Sequence, residues 1–351
     1  MSGPPGEQGI AADRRWTFEA VESVSRTFAL SIELLEEPVA SWLCTGYLLC
    51  RGADTIEDAS SLSPADRAGL LEQYDAMLDP EAGADVGEFA SAVAEHRPAD
   101  GGDDWAALAN TDRAMRVFRS FDDAVQASMR GRIREMTTGM AAFLRRHADS
   151  GGIRVTTVAE LEEYCWYVAG TVGELFTDLL PPESGSDATD ADDAFAFALL
   201  LQLVNIAKDV RVDYETEGNV YLPGEWLAEE GLDHGAVGDP AATERLARVV
   251  ERVADRAGSY AAGARRYLRG LPEDEAGVLE AATLPYLLAL GTLRELQSRS
   301  EEAVAEPATV KLDRAEVEAL YGRMSRGVTQ SEIDRLSGIV RERSYADTAL
   351  D

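Results

Sequence analysis

Apolar residues return along most of this chain at intervals of three and four, the spacing that stacks side chains on one face of an α-helix. No stretch alternates apolar with polar long enough to form a strand. The pattern therefore predicts helix after helix. Residues 1 to about 15, rich in Gly, Pro and charge, are expected to be disordered. WTFEAVESVSRTFALSIELL reads as an opening helical segment that breaks before Pro38, and YLLCRGADTIED, Tyr47 to Asp58, as an apolar helix ending in acids. Leu62 to Met77 reads as a helix with SPAD as its start signal, followed by a loop of Gly, Asp and Pro over residues 79 to 104. Helices resume from Trp105 to about His147, interrupted by Gly131 and Gly139. Gly151 and Gly152 break the chain ahead of an apolar helix from Leu161 to Leu180. Within it Gly170 and Gly173, each costing about 1 kcal/mol relative to Ala, point to close packing or a kink. After the polar loop PPESGSDATDADD comes AFAFALLLQLVNIAKDVRVD, then GNVYLP, whose Pro223 marks a loop expected to fold back. The remainder, from about Trp226 to Arg343, is helical, with Arg265 and Arg266 on an exposed face. No repeat or linker divides the chain, so the reading is one all-α domain over residues 16 to 345.

Charge narrows the surroundings. The chain of 351 residues carries a formal charge of −31 from 64 acidic and 33 basic residues, and the only lysines are Lys208 and Lys311. The charge is spread along the chain, which predicts a surface adapted to high salt, as in a halophile, where screening removes self-repulsion, and it argues against nucleic-acid binding. Cys44, Cys50 and Cys165 sit in apolar helical patterns without paired or ligand spacing, so they read as buried thiols in a reducing compartment, the cytoplasm. No run approaches the roughly 18 apolar residues of a membrane span, and the N-terminus has no apolar signal core. The expectation is a soluble monomer or weak homo-oligomer that a lipid substrate could hold at a membrane periphery.

Two helices carry the chemistry. Asp54 and Asp58 lie one turn apart with Glu57 beside them, on a face where Tyr47, Leu48, Leu49 and Cys50 ask for burial. Taken alone, these acids fit a solvated helix end as well as a cation site, because stacked carboxylates repel unless something neutralises them. The second helix shifts the balance: Asn205, Asp209 and Asp213 recur at i, i+4 and i+8 after a continuous apolar run, with Lys208 and Arg211 close by. Two such helices facing each other across a cavity would offer Mg²⁺ the oxygen ligands it prefers and leave the rest of its shell to substrate phosphates. Acids at the mouth and apolar walls behind suit isoprenoid diphosphates, whose allylic cation needs shielding from water and aromatic faces. By themselves, Ser25 to Phe28 read as an ordinary amphipathic helix and Tyr164 as core packing.

Six ordered blocks over roughly residues 25 to 223, SRTFALSI, YLLCRGADTIED, EMTTGMAAFL, YCWYVAGTVG, NIAKDVRVD and NVYLP, resemble the squalene and phytoene synthase family. The resemblance implies an all-α isoprenoid synthase bundle with a central cavity, which joins two prenyl diphosphates head to head through a cyclopropyl intermediate. It implies Mg²⁺, or Mn²⁺ in its place, held by Asp54, Glu57 and Asp58 on one helix and Asn205, Asp209 and Asp213 on the other. Tyr164 matches a tyrosine acting in the first half-reaction, and Tyr47 and Arg51 match residues flanking the first acidic motif. Ser25, Arg26 and Phe28 match a substrate-binding block, and Val168, Gly170 and Tyr221 complete the implied substrate contacts. Lys208 and Arg211 are expected to meet phosphate. The form of RGADTIED, MTTGMAAFL and YCWYVAG leans towards squalene synthase, which reduces the intermediate made from two farnesyl diphosphates with NADPH. A phytoene synthase instead takes geranylgeranyl diphosphate and loses a proton, leading to carotenoids. TLPYLLALGTL followed by VKLDR is similar to a squalene synthase region that helps hold NADPH, assigning Lys311 and Arg314, although Asp313 between them thins the basic cluster.

Overall fold

A computed structural model describes residues 5–99, 101–180, 190–273, 277–307 and 310–348. The chain opens with α1 (Pro5–Val24), α2 (Arg26–Glu33) and α3 (Val39–Glu57), followed by α4 (Pro64–Leu78), α5 (Val86–His96), α6 (Gly102–Leu108), α7 (Thr111–Phe118) and the long α8 (Asp123–Arg146). One turn of π-helix, Trp166–Gly170, joins α9 (Val158–Cys165) to α10 (Thr171–Asp178), and α11 (Ala191–Val212) runs into a second, Asp213–Glu217. The chain continues through α12 (Gly224–Glu229), α13 (Thr243–Gly270), α14 (Val278–Ala305), α15 (Arg314–Met324), α16 (Gln330–Glu342) and α17 (Tyr345–Thr348). Among the described residues there is no strand, only a parallel bridge between Arg154 and Val220. The expected polar loop after Leu180 lies outside the described residues as far as residue 189.

Two apolar clusters form. One is built on α3, α4 and α8. The other is built on α11, α13 and α14, where leucines such as Leu200, Leu203 and Leu287 are fully buried and each contributes about 1.5–3 kcal/mol. Leu35, Val168 and Phe176 pack against both clusters and also line the main cavity, so the cavity sits on the seam between them.

The expectation of disorder through residue 15 is corrected by α1, which starts at Pro5 and places Asp13, Thr17, Ala20 and Val21 on one buried face. The Asp13 carboxylate accepts hydrogen bonds from Arg116 Nε at 2.7 Å and Arg113 Nε at 2.8 Å, about a hundred residues away. Those bonds, Arg116 first, hold its pKa below the ordinary carboxylate value, so the stabilisation they give is complete above that value and fades as pH falls through the lowered one. The single opening segment is split at Ser25, whose hydroxyl caps α2 by accepting from the Phe28 N–H at 3.4 Å. The loop expected over residues 79 to 104 contains α5, capped by Asp85 and anchored by buried Phe89 and Val93, with Phe89 edge-on to Tyr74 at 5.2 Å, as well as the start of α6.

Gly131 and Gly139 do not interrupt α8. Gly139 is a contact site instead: a Cβ there would stand 2.1 Å from Tyr167 Cγ, so the missing side chain is what lets the π turn lie against α8. Arg265 is buried rather than exposed, because it ties α13 to α16 through Asp334 at 2.7 Å and Gln330 at 2.6 Å, while Arg266 pairs with Asp193. The three cysteines are buried free thiols. Among the described residues no helix is long and apolar enough to cross a membrane.

Candidate functional site

The cavity, about 490 Å³, is walled by α2, α3, the α9–α10 unit, α11 and α14. Helical period explains who faces it. On α3 and its C-cap, Leu43, Tyr47, Cys50 or Arg51, Asp54, and Glu57 or Asp58 recur three or four apart and line the cavity together. On α11 and its π continuation the wall runs Ala198, Leu201, Gln202, Asn205, Lys208, Asp209, Asp213, Glu217. The two acidic sets predicted from sequence are thus brought to one space, with Phe28, Val168, Phe176, Phe197 and Pro285 among the apolar residues behind them. Both π turns lie in this wall, a placement frequent at functional sites.

The electrostatics are those of a space short of positive charge. Burial pushes the Asp54 carboxyl up to about 6 against the pull of Arg51, whose Nη1 lies 3.8 Å from it. Burial and then Asp209 and Asp58 push Asp213 up to about 8, and burial followed by Asp213 does the same to Glu217. Glu57 and Asp58 are held well above the ordinary carboxylate range, first by burial and then by neighbouring carboxylates. Glu57 is 2% exposed; its Oε2 accepts from the Tyr164 hydroxyl at 2.9 Å, and its Oε1 is buried without a hydrogen-bond partner. Lys208 pairs with Asp209 and so answers one of these charges.

Every one of the donors here is a hard oxygen, and an orphaned carboxylate oxygen among mutually repelling acids fits a divalent cation. Among the described residues no three His, Cys, Asp or Glu side chains stand close enough to hold an ion by themselves. Mg²⁺ commonly takes one or two carboxylates and completes its shell with waters and substrate phosphates, and two facing half-sets suit that division.

The aromatic residues are arranged in pairs. Phe28 stacks on Tyr47 with centroids 3.8 Å apart, and Tyr164 stacks on Tyr221 at 4.7 Å. Burial raises the Tyr47 phenol, opposed first by the neighbouring Ser25 hydroxyl. Arg51 is oriented by α6, its Nε donating to Asp104 Oδ1 at 2.8 Å.

Several candidates lie elsewhere. Ser25 caps α2 and Arg26 is exposed; neither lines the cavity. Gly170 is packed beneath Trp166 and Phe195, which a Cβ would meet at 2.7 and 3.3 Å, rather than forming wall. Arg211 donates to Glu215 and the Val237 carbonyl, away from the cavity. Lys311 is exposed, and Arg314 is 89% exposed and paired with Glu318 at 2.6 Å; neither lines the cavity.

Three residues escaped the sequence reading. Glu217 extends the Asn205, Asp209, Asp213 stripe by one more step of four, a signal that was available. Asp104 meets Arg51, and Asn219 is oriented by the Ile153 N–H, across more than fifty residues, which spacing does not reveal.

A family model described as squalene/phytoene synthase matches residues 21–316. Relatives by sequence include a 15-cis-phytoene synthase of Enterobacter agglomerans, 36% identical over 133 residues that make up 38% of this chain and 44% of that protein. Another is a squalene synthase of Dictyostelium discoideum, 26% identical over 285 residues, 80% of this chain and 64% of that protein. The matched part thus spans less than two thirds of either relative. By structure the chain is similar in fold to TcSQS in complex with a ligand, with a TM-score of 0.74, 22% identity, and coverage of 96% of this chain and 99% of that one.

Proposed function

The chain belongs to the squalene/phytoene synthase family, and from that membership we propose that it is a prenyltransferase condensing two prenyl diphosphates head to head, with farnesyl diphosphate as substrate and squalene as product. The observation that carries this is the seam cavity, acidic from both α3 and α11 at one end and apolar at the other. Asp54, Glu57, Asp58, Asn205, Asp209 and Asp213 are the residues that would hold Mg²⁺. When bound, Mg²⁺ neutralises the leaving diphosphate.

The chain's own groups do the rest. Arg51, fixed by Asp104, and Lys208 supply positive charge to diphosphate oxygens at the mouth. Phe28, Val168, Phe176 and Phe197 exclude water from the prenyl chains, and the Phe28–Tyr47 and Tyr164–Tyr221 stacks present ring faces to a developing allylic cation. The Tyr164 hydroxyl, beside Glu57, is placed to exchange a proton with departing diphosphate.

Squalene is supported by the squalene-type form of RGADTIED and by the Dictyostelium relative matched over 80% of the chain. The 36% identity to a phytoene synthase supports a second reading, phytoene from geranylgeranyl diphosphate. Lys311 and Arg314 stand outside the cavity and take no part in the steps above. Product analysis decides: farnesyl diphosphate, Mg²⁺ and NADPH are expected to give squalene, and omission of NADPH to stop at the cyclopropyl intermediate or a dehydrosqualene. A forty-carbon product from geranylgeranyl diphosphate, formed equally well without NADPH, would establish the phytoene reading.

The charge of −31 supports a high-salt setting as well. The melting temperature should rise by several degrees between low salt and molar KCl as screening relieves repulsion among surface acids. A flat or falling profile would remove that part of the proposal.

A further inference from the structure

We propose that Asn219 is a positioning residue that sets the direction of a hydroxyl chain running from Tyr221 through Tyr164 to Glu57 and that holds Glu217 at the cavity wall. This deepens the prenyl diphosphate reading and rests on it for the meaning of Tyr164.

Asn219 is fully buried just past the second π turn. The backbone N–H of Ile153 meets its Oδ1 at 2.9 Å. A backbone N–H can only donate, so this contact fixes which end of the amide is oxygen. The amide nitrogen is thereby turned to Tyr221 OH at 2.9 Å and Glu217 Oε2 at 3.2 Å, giving one proton to each. Tyr221 OH, accepting from Asn219, has its own proton free for Tyr164 OH at 3.0 Å. Tyr164, accepting from Tyr221, directs its proton to Glu57 Oε2 at 2.9 Å. Each link leaves the next hydroxyl one direction to point, and the whole chain is buried, where an unmade bond is costly. Asn219 is also tied to a rigid frame. Val220 N donates to the Ile153 carbonyl at 2.9 Å, and Val155 N to the Val220 carbonyl at 3.3 Å. Gly152, at φ 135°, lets that segment approach: a Cβ there would stand 2.2 Å from the Gly218 carbonyl oxygen. The amide thus links the wall carrying the second acidic set to the phenols and to the first set, a connection that neither acidic helix makes by itself.

The test is a double-mutant cycle between Asn219→Asp and Tyr221→Phe. N219D keeps an oxygen for Ile153 N–H but offers Tyr221 no amide proton. In the wild-type background it is expected to lower kcat roughly tenfold to a hundredfold, the scale of a misplaced catalytic group, with KM moved by less than about threefold. In the Tyr221→Phe background most of that penalty should vanish, because the chain it directs is already broken. An equal N219D penalty in both backgrounds would overturn the proposal, as would wild-type kcat in N219D, since Asn219 would then only anchor the loop. Asn219→Ala in the same backgrounds replaces N219D should the added carboxylate beside Glu217 prevent folding. Melting temperatures of the four proteins give a readout independent of the reaction: the double mutant should lose roughly 2 °C less than the sum of the singles. If the wild type consumes no prenyl diphosphate, the proposed function fails, and the melting cycle alone decides whether Asn219 directs Tyr221, with additive losses overturning it.

Discussion

Replacing Asp54 or Asp209 with Ala should lower the rate of diphosphate release from a prenyl substrate by a factor of at least about a thousand, while the helical circular dichroism stays in place. Each of these carboxylates faces the cavity from a different acidic helix. The reaction in view separates a diphosphate anion from an allylic cation, so the charge stabilisation gathered at the mouth has its largest effect in the transition state. Removing one preorganised electrostatic group of that kind commonly costs a hundredfold to a thousandfold in kcat, and losing a cation ligand adds to it. The fold should survive because the carboxylates contribute repulsion, not packing. Asp54 to Ala leaves Arg51 its 2.8 Å bond to Asp104, and Asp209 to Ala leaves the buried face of α11 untouched. Steady-state diphosphate release alongside circular dichroism checks both halves, and activity near wild type in either variant would remove the acidic helices from the mechanism.

The second large effect has opposite signs for stability and function. Asp213→Asn should raise the melting temperature measured without divalent cations by a few degrees, yet abolish most of the stabilisation that Mg²⁺ with inorganic diphosphate gives the wild type. In the folded protein the Asp213 side chain is crowded by Asp209 and Asp58 in a poorly solvated wall. Folding without a cation must either bury that charge or keep a proton on it, and an amide of the same shape requires neither. For the wild type, cation and diphosphate at about a hundred times their dissociation constant should add about 2.7 kcal/mol. Thermal melts with and without Mg²⁺ and diphosphate are sufficient. A metal-free Asp213→Asn protein less stable than wild type, or one still stabilised by Mg²⁺ to the full extent, would contradict the argument. The trade is the usual one at a site that accumulates like charges for binding.

Much of this was legible because helical period is local. A residue's neighbours at three and four positions away decide which face it joins, so Tyr47, Arg51, Asp54 and Asp58 could be placed on one stripe of α3, and Asn205, Asp209 and Asp213 on one stripe of α11, before any packing was known. The costly Gly170 likewise pointed to close packing or a kink, and it lies in a π turn packed against Trp166 and Phe195. Readings that leaned on composition fared worse. A segment rich in Gly and Pro became α1 because Asp13 finds Arg113 and Arg116, and the loop after α4 became α5 because Phe89 meets Tyr74.

Apart from α1, α5 and the start of α6, the sequence by itself determined the helices, their apolar faces and the two acidic stripes, since each follows from residues within two turns of one another. Tertiary structure alone decided that the stripes share a cavity, that Asp104 holds Arg51, that Ile153 orients the Asn219 amide and Tyr221 meets Tyr164, and that Arg211, Lys311 and Arg314 stand apart. Those outcomes depend on how helices far apart in the chain pack, and a hydrogen bond or ion pair made across that distance leaves no period in the sequence to read.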